Sequence, residues 1–166
     1  MKYKIIIIVL AIIVSSLSSA NEIKSLKIGQ ATPSFSLKNL ETGEKESLEN
    51  YKEKVLLINF WASWCIECVK EMPSLEQLYK SLKKHGFEVL GISTDLDEEN
   101  VVYFLKEHPV SFPILLDLDN AVGLNYKLKF IPISFLLDKK HKIQNIFYGS
   151  KEWDKKEIRR LIEKLL

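Results

Sequence analysis

Residues 54–62, KVLLINFWA, form the apolar run that most limits what this chain can fold into. The run is too short for a core helix and rich in strand formers. A strand without polar alternation must be covered on both faces, which is the situation of a parallel strand inside an α/β sheet. From Cys68 the period changes. Met72, Leu75, Leu78, Tyr79 and Leu82 recur at spacings of three and four, which predicts a helix, and Gly86 stops it. Both cysteines of the chain, Cys65 and Cys68, therefore stand where a strand gives way to a helix.

The same alternation runs through the rest of the chain. Upstream, SFSLKNLETGEKESL at 34–48 gives two short alternating stretches around Glu41-Thr42-Gly43, a hairpin signal. Downstream come a strand at 87–94, a helix at about 98–107, a strand at 113–117 and a short helix at 120–126. Two more strands follow at 133–138 and 142–149, then a helix from Asp154 with Ile158, Leu161, Ile162 and Leu165 on one face. Strands alternating with helices predict an α/β sheet covered on both sides. In such sheets chemistry gathers where strand carboxyl ends meet helix N-termini, which is where the cysteines lie.

The first twenty residues, MKYKIIIIVLAIIVSSLSSA, read as a secretory signal: Lys2 and Lys4, an apolar run from Ile5 to Val14, then small residues ending at Ala20. The apolar run is shorter than the about 20 residues of an ordinary membrane span. The alternative reading is an uncleaved N-terminal anchor. On either reading residues 21–166 form one domain in an oxidising, extracytoplasmic compartment, periplasmic or secreted, where a cysteine pair can persist as a disulfide. The net charge is only +2 and the basic residues are dispersed, which argues against a nucleic-acid partner.

Three chemistries compete for the cysteine pair. As a structural staple, so small a ring stabilises by only ~2 kcal/mol and is easily reduced. As a zinc or Cu(I) site, two thiolates are half a ligand set, and His85, His108 and His141 show no ligand spacing. For redox exchange the position is favourable. A thiol at a helix N-terminus faces unpaired backbone N–H groups and the positive end of the dipole, which favour thiolate at Cys65. Cys68, one turn further in, is placed to attack a disulfide formed at Cys65.

These residues carry a resemblance. NFWASWCIECVKEMP at 59–73 resembles the active-site segment of thioredoxin-fold proteins, and FIPISFLLD at 130–138 resembles their cis-proline loop. With the lead hairpin, the extra helix and strand between Glu98 and Asp117, and FYGSKEW near the end, the chain is most similar to the ResA/TlpA family. These are extracytoplasmic thiol:disulfide reductases within the wider AhpC/TSA-Redoxin-like superfamily. The resemblance starts at about Leu26 and implies an α/β thioredoxin fold with an N-terminal β-hairpin and a central helix-strand insertion.

Residue by residue, it implies that Cys65 is the exposed nucleophile and Cys68 the resolving thiol. Glu71 matches the buried glutamate that handles the proton of the thiols. Asn59 stands where ordinary thioredoxin has a buried aspartate, so the carboxylate must come from elsewhere. Pro132 matches the cis-proline beside the disulfide, and Ile131 the residue whose backbone pairs with a bound peptide. Trp64 shields the pair and offers an apolar contact surface, and Pro73 kinks the helix. The implied partners are protein disulfides, apocytochrome c among them, with a membrane thiol reductase as electron donor. The redox-active Cys65–Cys68 disulfide takes the place of any cofactor, no metal is implied, and contact with a membrane would run only through an uncleaved N-terminus.

Two residues depart from the family. Ile66 and Glu67 stand between the cysteines, where the family more often has proline second. Glu67 is a like charge near a thiolate, and no histidine opposes it, so the expected pair is less oxidising and acts as a reductant. A peroxiredoxin would carry threonine three residues before its cysteine and a downstream arginine at the thiolate. Here Ala62 fills that position, and the only arginines are Arg159 and Arg160 in the last helix. A Cu(I) metallochaperone of thioredoxin-like kind, the other alternative, would carry Cys-x-x-x-Cys and a distant histidine. The spacing here is one residue shorter, and His141 falls in a turn between strands.

Overall fold

The computed structural model describes residues 25–166; the expected signal segment lies outside them. The apolar run folds as strand β3 (Val55–Trp61), and all seven residues are buried. Its side chains alternate between two cores. Val55, Leu57 and Trp61 join Met72, Leu75, Leu78 and Leu82 of helix α1 (Ile66–Leu82), while Leu56, Ile58 and Phe60 face Leu48, Tyr51, Val122 and Tyr126 on the other side. Helix α1 begins at Ile66, two residues before the apolar period becomes visible, because its first two residues, Ile66 and Glu67, face solvent.

Strands β1 (Ser36–Asn39), β2 (Lys45–Ser47), β4 (Phe87–Ser93), β5 (Ile114–Leu116), β6 (Ile133–Leu137) and β7 (Ile143–Tyr148) complete one sheet of order β2-β1-β5-β4-β3-β6-β7. From β3 to β4 and from β4 to β5 the chain takes two parallel steps in one direction. Right-handed crossovers then place both connecting helices on one face. Accordingly Val101 and Phe104 of α2 (Glu98–Glu107) pack in the same core as α1. Helix α3 (Ala121–Asn125) covers the opposite face through Val122. Helix α4 (Lys156–Glu163) returns to the α1 side, with Ile162 buried and Ile158, Leu161 and Leu165 packed around it.

The expected hairpin forms between β1 and β2, closed by Asn39 Oδ1, which accepts the N–H groups of Glu41 and Thr42, and by Gly43 at φ 73°. It extends the sheet by pairing β1 antiparallel to β5. The α2–β5 insertion thus supplies the strand on which the hairpin docks, and the whole is a thioredoxin fold with those two additions.

Register then gathers distant segments at one end of the sheet. Trp61 lies beside Ser93 in β4, Phe60 opposite Ile133 in β6, and Ile133 opposite Tyr148 in β7. The turns after β3, after β4, before β6 and after β7 therefore converge. Among the described residues no helix is long and apolar enough to cross a membrane.

Candidate active site

The turn after β3 carries Cys65 as the N-cap of α1, with extended backbone at φ −86° and ψ 100°. Its Sγ accepts the N–H of Cys68 at 3.2 Å, and its carbonyl accepts that of Val69 at 3.1 Å. The two cysteines are joined as a disulfide, with Cα atoms 5.2 Å apart. They differ in access: Cys65 is 7% exposed and Cys68 fully buried. Cys65 is thus more covered than the word exposed suggests, but it opens into a groove of about 520 Å³ whose walls include Trp64, Leu124, Leu128, Phe130 and Ile131. Trp64 is 70% exposed, so its ring packs in no core and forms part of the groove wall.

Across the groove the Ile131–Pro132 peptide bond is cis. Pro132 is buried, and its carbonyl accepts the Gly149 N–H at 2.9 Å, fastening the loop before β6 to the end of β7. Ile131 is half-buried and lines the same groove as Cys65.

One turn beyond Cys68, Glu71 is buried and surrounded by three N–H donors from two segments. Its Oε1 accepts Asn59 Nδ2 of β3 at 2.8 Å; its Oε2 accepts the Lys151 backbone N–H at 2.9 Å and Trp153 Nε1 at 3.1 Å. Burial pushes the Glu71 carboxyl above the usual glutamate range, against the lowering effect of the Lys151 N–H, the Asn59 and Trp153 side chains and the Lys151 charge. The structure thus brings Cys65, Cys68 and Glu71 together on the first two turns of α1, with Trp64 and Ile131 at the groove. Pro73 lies inside the helix just after Glu71, where its missing N–H leaves the Val69 carbonyl without a helical partner.

Two groups at the site are not apparent from sequence reasoning. Asn59 reads there only as a missing aspartate, yet it is a direct donor to Glu71 and also to Ser134 Oγ at 2.9 Å. Asp95, in the turn after β4, binds the turn that precedes Cys65. Its carboxylate accepts Ser63 Oγ at 2.6 Å, Ser63 N–H at 2.9 Å and Ser93 Oγ at 2.7 Å. The signal for Asp95 was its place at a strand's carboxyl end.

The histidines have other neighbours: the ring of His108 packs on Phe104 at 4.7 Å, and His141 Nε2 is 3.2 Å from the Tyr51 carbonyl. Among the described residues no three His, Cys, Asp or Glu side chains cluster to hold a metal ion. Arg159 is bound to Glu163 and to Ser81 Oγ.

A thioredoxin fold with a Cys-x-x-Cys disulfide capping its first long helix, beside an open groove, defines a thiol:disulfide oxidoreductase. Residues 28–146 match the AhpC/TSA family model, and the chain belongs to that family, on the side of its ResA-like oxidoreductases. The chain is 32% identical over 142 residues to the thiol-disulfide oxidoreductase ResA of Bacillus cereus, covering 86% of this chain and 80% of that one. It is 38% identical over 137 residues to the thioredoxin-like protein YneN of Bacillus subtilis, covering 81% and 78%. A crystal structure from Chlorobium tepidum, of a protein assigned as the thiol:disulfide interchange protein DsbE, superposes with TM-score 0.79 at 28% identity, covering 85% of this chain and 99% of the other.

Proposed function

We propose that this oxidoreductase runs as a reductant of protein disulfides outside the cytoplasm, with apocytochrome c cysteines before haem attachment as one substrate. The observation that carries the direction is the poverty of the Cys65 cap: its sulfur accepts one N–H, from Cys68, and the first turn holds Glu67. A thiolate stabilised by few donors makes the reduced form less favourable, hence a better electron donor, and Glu67, its carboxylate paired with Lys70, adds nothing to stabilise it. The resemblance to the ResA/TlpA family is what suggests apocytochrome c as a substrate.

In the reaction, the Cys65 thiolate attacks one sulfur of the partner's disulfide, and the partner's other sulfur leaves as a thiolate. Cys68 then attacks Cys65 Sγ, and the second partner sulfur leaves. The partner gains two electrons and the Cys65–Cys68 disulfide forms. Cys68 must lose its proton before it attacks, and Glu71, one turn away and held above the usual carboxyl range, is the base placed to take it. The cis-Pro132 loop and Trp64 hold the partner segment against Cys65, with Ile131 offering backbone groups for strand pairing. A membrane thiol reductase returns the electrons.

The test is a trap. Cys68→Ser leaves a nucleophile that forms the mixed disulfide and cannot resolve it, so adducts should accumulate that dissolve with reductant. Cys65→Ser should trap far less, because Cys68 is fully buried. Adducts with c-type cytochromes or their assembly factors place the protein in that maturation, whereas a broad mixture of secreted proteins indicates general reduction. Equal trapping by both variants contradicts the order of attack. A glutathione titration should give a potential nearer the roughly −270 mV of thioredoxin than the roughly −120 mV of DsbA.

A further inference from the structure

The hydrogen bonds around Glu71 suit only one of its two charge states. Every partner donates: Lys151 through its backbone N–H, Trp153 through Nε1 and Asn59 through Nδ2. A protonated Glu71 needs an acceptor for its O–H, and neither a backbone N–H nor an indole N–H can serve. The proton's place follows from the same contacts. Oε2 already receives two donors, so the proton sits on Oε1, the oxygen that faces Asn59.

Next to this oxygen lies an acceptor without work. Asn59 is fully buried, and its Oδ1 has no hydrogen-bond partner, while its Nδ2 serves both Glu71 Oε1 at 2.8 Å and Ser134 Oγ at 2.9 Å. Buried polar atoms are rarely left unpaired, and an exception calls for a reason. Turning the amide over exchanges Oδ1 and Nδ2 at one stroke. Oδ1 then meets Glu71 Oε1 and Ser134 Oγ, and a serine hydroxyl can donate as readily as it accepts.

We propose that Asn59 and Ser134 form a reversible hydrogen-bond pair that serves both states of Glu71. With Glu71 ionised, the Asn59 N–H groups donate to Oε1 and to Ser134 Oγ. With Glu71 protonated on Oε1, the amide is turned: Oδ1 accepts the Glu71 O–H and the Ser134 O–H. Each orientation leaves one amide atom unpaired, Oδ1 in the first and Nδ2 in the second, so neither state is favoured by burying an extra orphan. An aspartate at position 59 could donate nothing to an ionised Glu71 and would oppose its charge. The inference rests on the reading of Glu71 as the proton holder, and makes Asn59 a positioning residue for it. The groups facing Glu71 are Asn59 from β3, Lys151 and Trp153 from the loop after β7, and Cys68 on its own helix. Lys151 is the charged one among them, and its ammonium is bound to the carbonyls of Tyr148, Gly149 and Ser150.

The test follows the Asn59 side-chain amide by ¹⁵N NMR in the oxidised full chain, alongside the Glu71 carboxyl carbon, through a pH titration. The amide signals should move with the midpoint of Glu71. In Glu71→Gln, whose uncharged NH₂ can donate to Oδ1, they should sit at the low-pH limit of the wild type at every pH. Asn59→Leu removes a donor from the ionised state and an acceptor from the neutral one. Bonds to charge are the stronger, so Glu71 should bind its proton roughly tenfold more tightly. Amide signals that stay flat through the Glu71 midpoint overturn the proposal even if Asn59→Leu fails to fold. If they stay flat while Glu71→Gln still alters thiol titration in the reduced protein, the proton-holder reading survives and this inference fails. If they move but Glu71→Gln leaves the thiols unaltered, the amide pair stands and the proton-holder reading fails.

Discussion

Glu71 and Asp95 are both buried to 2% exposure, and both lie against the segment that carries Cys65 and Cys68. Their partners differ in kind. Asp95 is held mainly by hydroxyls, those of Ser63 and Ser93, together with the Ser63 backbone N–H, and both serines lie in the turn it closes or beside it. Glu71 is held by N–H groups alone, drawn from β3 and from the loop after β7. Asp95 fastens the strand end of β4 to the turn before Cys65, a service that ends if its acceptors are lost. Glu71 also ties the loop after β7 to α1, through the Lys151 N–H and Trp153 Nε1, but burial resists its charge. Burial of a carboxylate is therefore not evidence of one role: here one carboxylate is a clamp, and the other is the one we propose as a proton site.

The clamp reading carries the largest expected effect. Asp95→Ala leaves the half-buried Ser63 N–H and hydroxyl and the buried Ser93 hydroxyl without their acceptor, a loss of about 3 kcal/mol of stability. Denaturant unfolding measures it. A loss under 1 kcal/mol would mean the turn before Cys65 holds without Asp95. Asp95→Asn, which keeps one acceptor oxygen, should lose less than half as much.

Glu71→Gln should behave in the opposite way. The glutamine keeps an oxygen for Lys151 and Trp153, and Gln is well tolerated in a helix, so stability should change by no more than about 1 kcal/mol. Reduction of a partner disulfide should slow by roughly tenfold or more, the usual scale for losing a positioned acid or base. The ratio of the two effects is the measurement that separates the carboxylates. A Glu71→Gln variant that is unstable but fast would make Glu71 a second clamp.

Much of this end of the molecule was legible in the sequence, and the reason is local. The run at 54–62 had to be a doubly covered strand, and the three-four period after Cys68 had to be a helix, because each pattern lies within one segment. The Cys-x-x-Cys spacing is likewise short-range. What could not be read is the set of contacts that register assembles. Asn59, Ser134, Lys151 and Trp153 come from three distant stretches, and Asn59 looked like an absence because only the fold brings Glu71 to it. Asp95 stands two residues before Asp97, the cap of α2, and in sequence the pair looks like the start of that helix. The first turn of α1 escaped the period because Ile66 and Glu67 face solvent, where no core imposes one.

The smallest effect tests the charge at Glu71 through stability alone. Burial raises its folded-state carboxyl above the ordinary value of 4.5, so between that value and the folded one the native protein binds more proton than the unfolded chain. Stability then falls as pH rises, by linkage. The contribution is complete below 4.5 and is lost as pH climbs through the folded value, at about 1.4 kcal/mol for each unit of displacement. Other carboxylates add slopes of their own, so the quantity to follow is the unfolding free energy of the wild type minus that of Glu71→Gln, measured by urea unfolding from pH 4 upward. That difference should decline and then level off. A difference that rises with pH would mean that three N–H donors outweigh burial and that Glu71 is ionised throughout. A decline in stability accompanied by a parallel change in the thiol titration of the reduced protein would tie the buried proton to the redox pair, since a clamp would move the first quantity and leave the second where it was.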